Sequence, residues 1–389
     1  KNKKKKMPKK KTSRIEAVDI LRGITIAGMI LVNNPGGQPV YTPLEHAEWL
    51  GLTPTDLVFP FFMFIMGITT YLSLRKYNFE WSWTCTRKII KRGILLYVIG
   101  IGISWIMMFS HGLFNAENAT LPLLSRIVVS ANVFDHIRLV GVFPRLAFCY
   151  MLASFVAISM KHKYIPYFIG ALFVGYYLIL CYGNGFAHDA SNICNVIDEA
   201  IFGRQHLYQW DIPDPEGLLS NLPALGHVLI GFCVGRSLMS ATSINEKIEK
   251  LFLFGALLTF AGFLLSYGCP ISKKLWTPTF ALVTCGLAST TLAMLSWVID
   301  KEGHKSSAIT FFRVFGVNPL ALYVWADLLL IPLSIVPICG KPIQAWVFTD
   351  MLQPYIGTQN AALAWALLFV FLTWSSGYYL YKKQIFIKL

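Results

Sequence analysis

Residues 45–67 read EHAEWLGLTPTDLVFPFFMFIMG, passing from Glu45-His46-Ala47-Glu48 into a run that carries no charge after Asp56. That run has the makings of an apolar helix of about 20 residues, the length that crosses a ~30 Å hydrocarbon core. Similar runs recur along the 389 residues, and none shows the sustained alternation of a membrane strand. Mean hydropathy is +0.54, and 14% of residues are charged where a soluble domain carries about 25%. The expected fold class is all-α, a polytopic membrane helix bundle of about ten spans. They fall near 15–33, 54–74, 89–109, 140–160, 164–182, 222–240, 250–268, 277–299, 311–336 and 360–381.

Basic residues set the expected orientation, because Lys and Arg are retained on the cytoplasmic side. With the N-terminus inside, 26 of the 34 Lys and Arg fall on inner segments and 7 on the outer side, counting Arg145 near the outer end of its span, while Arg22 lies within the first span. The net charge of +14 is thereby explained by topology, and nucleic-acid binding is not called for. Three regions are expected: a cytoplasmic polybasic arm at 1–14, a transmembrane domain at 15–381 and a cytoplasmic tail at 382–389. The arm suits orientation and contact with anionic lipid. No small-residue cleavage site follows it, so the first span is read as a retained helix. The long outer segments 110–139 and 183–221 are expected to fold into a small cap.

The eight cysteines contain no CxxC pair and no Cys/His spacing for a metal, so no metal is expected. On the outer side Cys194, Cys269 and Cys339 leave room for one disulfide but no framework.

Four polar places stand out. Asp19 and Arg22 share a helix face in the first span, as an internal ion pair or as a site where Arg22 meets an anionic cofactor. Thr53-Pro54-Thr55-Asp56 has the form of a capped helix start, and Asp56 suits either the cap or a hydrogen bond to His46. His46 should lie at the outer boundary, as an ordinary loop residue or as a proton carrier. Asp211, Asp214 and Glu216 form an acidic outer loop, fit for sugar recognition or for a solvated turn. His227, in the span that follows, reads as a packing residue. The basic pair Lys273-Lys274, beside Trp276, runs against the charge bias, with Asp214 or Glu216 as its expected partner. Asn318-Pro319 should loosen the backbone and line a cavity.

Taken in order, VDILRGITIAGMILVNNPGG, EHAEWLGLTPTDLVFPFFMFIMG, GVFPRLAFCYML, DPEGLLSNLPALGHVLIG, PISKKLWTPTFALVTCG and GVNPLALYV resemble the heparan-α-glucosaminide N-acetyltransferase family and its bacterial relatives. The resemblance runs from about residue 14 to 325. It implies a transfer of acetyl from cytoplasmic acetyl-CoA to the amine of a glucosamine-type sugar across the membrane. It further implies a place in a bacterial inner membrane, a homodimer, and an amino-sugar or glycan partner.

On that resemblance His46 is the active-site histidine and Asn33 the asparagine after the first span. Asn34 stands as an alternative, because Asn34-Pro35 precedes Gly36-Gly37 here. The extra N-terminal luminal domain of the lysosomal animal enzyme lies outside the resemblance, so heparan sulfate itself is not the expected acceptor. A neutral histidine suits removal of the amine proton, and the same ring could instead carry acetyl transiently; the direct route is favoured. Asn33 or Asn34 would stabilise the oxyanion, and Asp56 or Glu48 would hold the imidazole tautomer. Coenzyme A phosphates should stay near inner basic residues such as Arg22 and Arg313, with Asp19 and Asn318 close by. Glu48, Asp214, Glu216, Lys274 and Trp276 are the expected acceptor-binding residues. A proton-coupled transporter or flippase, using the same polar sites without a cofactor, is the alternative reading.

Overall fold

A computed structural model describes residues 15–118 and 120–387. The polybasic arm at 1–14 lies outside the described residues. Eleven principal helices run α1 (Glu16–Asn33), α2 (Val58–Leu74), α3 (Trp83–Phe114), α4 (Val142–Ser159), α5 (Ile165–Tyr182), α6 (Asn221–Ser240), α7 (Ile244–Leu265), α8 (Pro278–Leu295), α9 (Ser307–Val317), α10 (Pro319–Ile335) and α11 (Thr358–Lys382). Among the described residues the only strands are the two-residue β1 (Pro337–Ile338) and β2 (Lys341–Pro342), paired antiparallel. The chain is an all-α helix bundle, as its composition predicts.

Eight helical segments are long and apolar enough to cross a membrane, and α9 with α10 makes a ninth, bent by 85°. The 18-residue α1 carries Glu16, Asp19 and Arg22, three charges over its whole length, where each of those spans has an 18-residue stretch with two or fewer. On α7, Leu253, Leu257, Phe260 and Leu264 are all exposed, an apolar face that only a lipid environment satisfies. These features make the chain a multi-pass membrane protein.

The span expected at 311–336 is broken. Pro319 disfavours helical geometry at the preceding residue, and Asn318 sits at φ −129°, ψ 50°. Its side chain takes up the freed pairing by binding the tail, with Nδ2 donating to the Ile385 carbonyl at 2.9 Å and Oδ1 accepting from the Ile387 N–H at 2.9 Å. The C-terminal segment thus plugs the gap that the Asn-Pro step opens.

Close helix contact fixes the centre. A Cβ on Gly67 of α2 would lie 2.1 Å from the Val228 carbonyl of α6, and one on Gly231 would lie 2.2 Å from the Phe64 carbonyl. Only glycine lets the two backbones touch. Helix α2 is consequently buried nearly all round, from Phe59 to Ile68. Segments 120–139 and 183–221, where a cap is expected, meet each other, the Leu139 N–H donating to the His206 carbonyl at 3.0 Å.

Candidate active site

His46 is carried by the loop between α1 and α2, and local pairing holds that loop. The Thr53 hydroxyl donates to the Glu45 carbonyl at 2.7 Å, and the Thr55 hydroxyl donates to the Pro43 carbonyl at 3.0 Å. A second loop, 269–277, is stitched against it. The Gly51 N–H donates to the Ile271 carbonyl at 2.7 Å, and the Ser272 hydroxyl donates to the Trp49 carbonyl at 2.8 Å.

Asp56 performs both roles that its position allows. Its Oδ2 accepts from the Thr53 N–H at 3.0 Å and the Ala47 N–H at 3.1 Å, which closes the start of the helical segment. Its Oδ1 lies 2.7 Å from Nδ1 of His46. A carboxylate with every other direction filled by donors accepts here as well, so Nδ1 carries the proton and Nε2 keeps its lone pair. Asp56 is fully buried, while the His46 side chain is 44% exposed. The ring is therefore anchored at one nitrogen and reachable at the other. Glu48, the other candidate for holding the tautomer, is exposed.

Lys273 completes the group. Its ammonium lies 3.0 Å from Nε2, 2.9 Å from Nδ1 and 3.7 Å from Asp56 Oδ1. With Nδ1–H given to Asp56, the productive contact is donation to Nε2. A tight turn aims the lysine, since the Trp276 N–H donates to the Lys273 carbonyl at 3.0 Å and Ser272 and Thr277 pair across the turn's base. Burial pulls the Lys273 amine below its ordinary range, and the carboxylates of Asp56 and Glu216 oppose that pull.

The charges continue outward in alternation. Arg138 donates to Asp214 through Nε at 3.0 Å and to Glu216 through Nη2 at 2.7 Å. Burial opposes its charge, but Glu216 and Asp214 more than offset it and push the guanidinium's range up. Burial raises the Glu216 carboxyl, yet Arg138, Arg145 and Lys273 together hold it below its usual range. Asp214 also accepts from the Tyr208 N–H at 2.7 Å and the Glu216 N–H at 2.9 Å. It is thus an organiser of the loop, already saturated. Lys274 pairs with Asp211, not with Asp214 or Glu216, because Arg138 has taken both of those. Trp276 is buried as a wall beneath the Arg145 guanidinium, which sits 4.9 Å from its ring. His227 is buried, packed edge-on to Trp276, with Nε2 2.9 Å from the Pro60 carbonyl.

The two asparagines divide. Asn34 turns its amide back on α1, donating to the Ile30 carbonyl at 2.8 Å, whereas Asn33 donates to the Tyr323 hydroxyl at 3.3 Å. Asn33 is the one that faces another helix.

At the opposite end of the bundle Arg22 donates to Asp19 and to the Gly316 carbonyl, both at 3.1 Å. Arg22 and Thr69 line two adjoining cavities. The larger, about 980 Å³, also presents Arg75, Lys76, Lys247 and Asp19. The smaller, about 330 Å³, runs on among Phe62, Met66, Leu146 and Leu320. Arg313 pairs with Glu16, and both line a third cavity with Asp19. Of the expected site residues, Asp19, Arg22 and Arg313 therefore gather at one end, and His46, Asp56, Glu216 and Trp276 at the other. Arg138 is the residue that the sequence reading passes over, and Lys273 is marked there with an acidic partner rather than with His46. The one available signal for Lys273 is a basic residue on the side where basic residues are scarce.

The family model described as "Heparan-alpha-glucosaminide N-acetyltransferase, catalytic" matches residues 14–269. Curated relatives named heparan-alpha-glucosaminide N-acetyltransferase come from Homo sapiens, at 26% identity over 80% of this chain and 52% of that protein, and from Mus musculus, at 25% identity over 82% and 54%. The chain spans about half the length of these relatives.

Proposed function

This chain belongs to the heparan-alpha-glucosaminide N-acetyltransferase catalytic family, and from that membership we propose that it moves an acetyl group from acetyl-CoA to the amine of a glucosamine-type sugar. The donor would enter at the Arg22 end of the bundle and the acceptor at the His46 end. The excess of basic residues supports placing the Arg22 end, with both chain termini, on the cytoplasmic side.

The observation that carries the reading is the imidazole fixed by buried Asp56 at Nδ1, with the Lys273 ammonium 3.0 Å from Nε2. An attacking amine must lose a proton as the N–C bond forms, and Nε2 can take it once the Lys273 ammonium leaves that nitrogen for the thioester oxygen. Asp56 then stabilises the imidazolium through the Nδ1–H bond. The thioester oxygen gains charge in the same step, and the Lys273 ammonium beside the ring is the donor able to meet it, with the Asn33 amide as the second candidate. As the C–S bond breaks, the proton held at Nε2 is delivered to the departing sulfur. No covalent acetyl-histidine is required.

The residues present fit coenzyme A. Four cationic side chains line the 980 Å³ cavity against one carboxylate, which suits phosphates that cannot enter hydrocarbon. The adjoining cavity is narrower and mostly apolar, a match for an extended arm.

Purified protein in detergent, given acetyl-CoA and glucosamine, should release free thiol and form N-acetylglucosamine. His46→Ala should lower the rate by about 10²–10⁴, the usual contribution of a positioned base. A His46→Ala protein working at the wild-type rate would remove the assignment.

A further inference from the structure

Helix α10 reads PLALYVWADLLLIPLSI, and Asp327 is its one charged residue. A carboxylate within a span is costly and is kept where it is paired or used. Asp327 has no hydrogen-bond or ion-pair partner among the described residues, although most of its surface is covered. It lines a cavity of about 190 Å³ between α3, α4 and α10, together with Arg138, Tyr323, Ser104 and Phe143.

Two chains of contact lead outward from the cavity lining, one to the end of α1 and one toward Lys273. Tyr323 receives the Asn33 amide at 3.3 Å, and Arg138 binds the same Glu216 that acts electrostatically on Lys273. The charge of Arg138 is already matched twice, by Asp214 and by Glu216. Asp327 is therefore the unpartnered polar group at the cavity, and it calls for hydrogen-bond partners. Phe143 and Tyr323 pack with ring centroids 5.7 Å apart and supply an apolar wall. A carboxylate facing an aromatic wall is the combination that suits a sugar ring, with hydroxyl donors on its edge and C–H groups on its face. The volume admits one ring and no more.

We propose that this cavity is the acceptor subsite, in which Asp327 accepts hydrogen bonds from the hydroxyls of a single amino-sugar ring lying against Phe143, leaving its amine to face His46. The inference rests on the N-acetyltransferase reading and names where that reaction holds its second substrate.

The test uses the full chain in detergent with glucosamine as the probe. Asp327→Asn removes the charge, and Ser104→Phe fills the cavity from α3 without touching α10. Each should raise the glucosamine KM at least tenfold while moving the acetyl-CoA KM less than twofold. An unchanged glucosamine KM in both variants overturns the subsite even if the wild type is fully active. If the wild type acetylates no amino sugar, the enzymatic reading fails separately. Equilibrium titration with glucosamine then still decides the subsite: weaker binding to Asp327→Asn supports it, and equal binding contradicts it.

Discussion

Asp56 holds Nδ1 of His46 at 2.7 Å with the same carboxylate that caps the start of the helical segment leading into α2. One buried side chain thus ties the imidazole to the start of a helix that is buried nearly all round. The orientation of the imidazole is then as rigid as the helix start itself.

Asp56→Asn should therefore cost both activity and stability. The amide cannot accept from Nδ1–H and two backbone donors as a carboxylate does, and a weakened cap alone is worth about 1 kcal/mol. We expect kcat to fall by about 10²–10³, with a lower apparent melting temperature in detergent. A variant that melts lower yet turns over at the wild-type rate would separate the cap from the chemistry and refute the second role.

Lys273→Met and Lys273→Arg should differ. Methionine keeps the stem and loses the charge beside Nε2, so kcat should drop by about 10²–10³ with the acetyl-CoA KM little changed. Arginine keeps the charge and should recover part of the loss. Steady-state kinetics on both variants checks this, and equal activity of Lys273→Met with the wild type would contradict an electrostatic role.

Arg22→Met should act on the donor alone. Loss of a charged hydrogen-bonding group worth about 1.5–3 kcal/mol predicts a rise of about 10- to 100-fold in the acetyl-CoA KM. The glucosamine KM should stay put, because the His46 group lies at the other end. Equal rises in both constants would argue for a general structural defect instead.

Asp198, in the short helix Ile193–Phe202, gives a pH dependence of stability. Burial raises its carboxyl to about 7, with the Leu218 N–H, which donates to it at 2.8 Å, pulling the other way. The folded state thus binds the proton more tightly than the unfolded chain, where an aspartate titrates near pH 3.9. The sign follows from linkage: the stability it brings is complete below the unfolded value and is lost as pH rises through about 7. Apparent melting temperatures between about pH 5 and 8 should fall with rising pH, and less so in Asp198→Asn. Identical slopes would show that another group controls the cap.

Much of this was legible in the residues, and the remainder was not for identifiable reasons. Apolar runs announce the bundle, and Thr53-Pro54-Thr55-Asp56 announces its own capped turn, because both are local patterns. The meeting of His46 with Asp56 spans ten positions and is readable as one of two options. Lys273 lies 227 positions from His46, and Arg138 lies 76 from Asp214, so only packing brings them together. That is why Asp214 and Glu216 look available for substrate when Arg138 already occupies them. The break at Asn318 shows in its Pro319, but its 85° size depends on the tail that fills it.

The central claim is that donor and acceptor meet at His46 from opposite sides of a membrane. Proteoliposomes with glucosamine sealed inside and labelled acetyl-CoA supplied outside test it most directly, in vesicles sorted for the orientation that exposes the Arg22 end. Labelled N-acetylglucosamine should accumulate inside, with free coenzyme A outside and no loss of vesicle integrity. Product formed only when both substrates share one compartment would contradict the account.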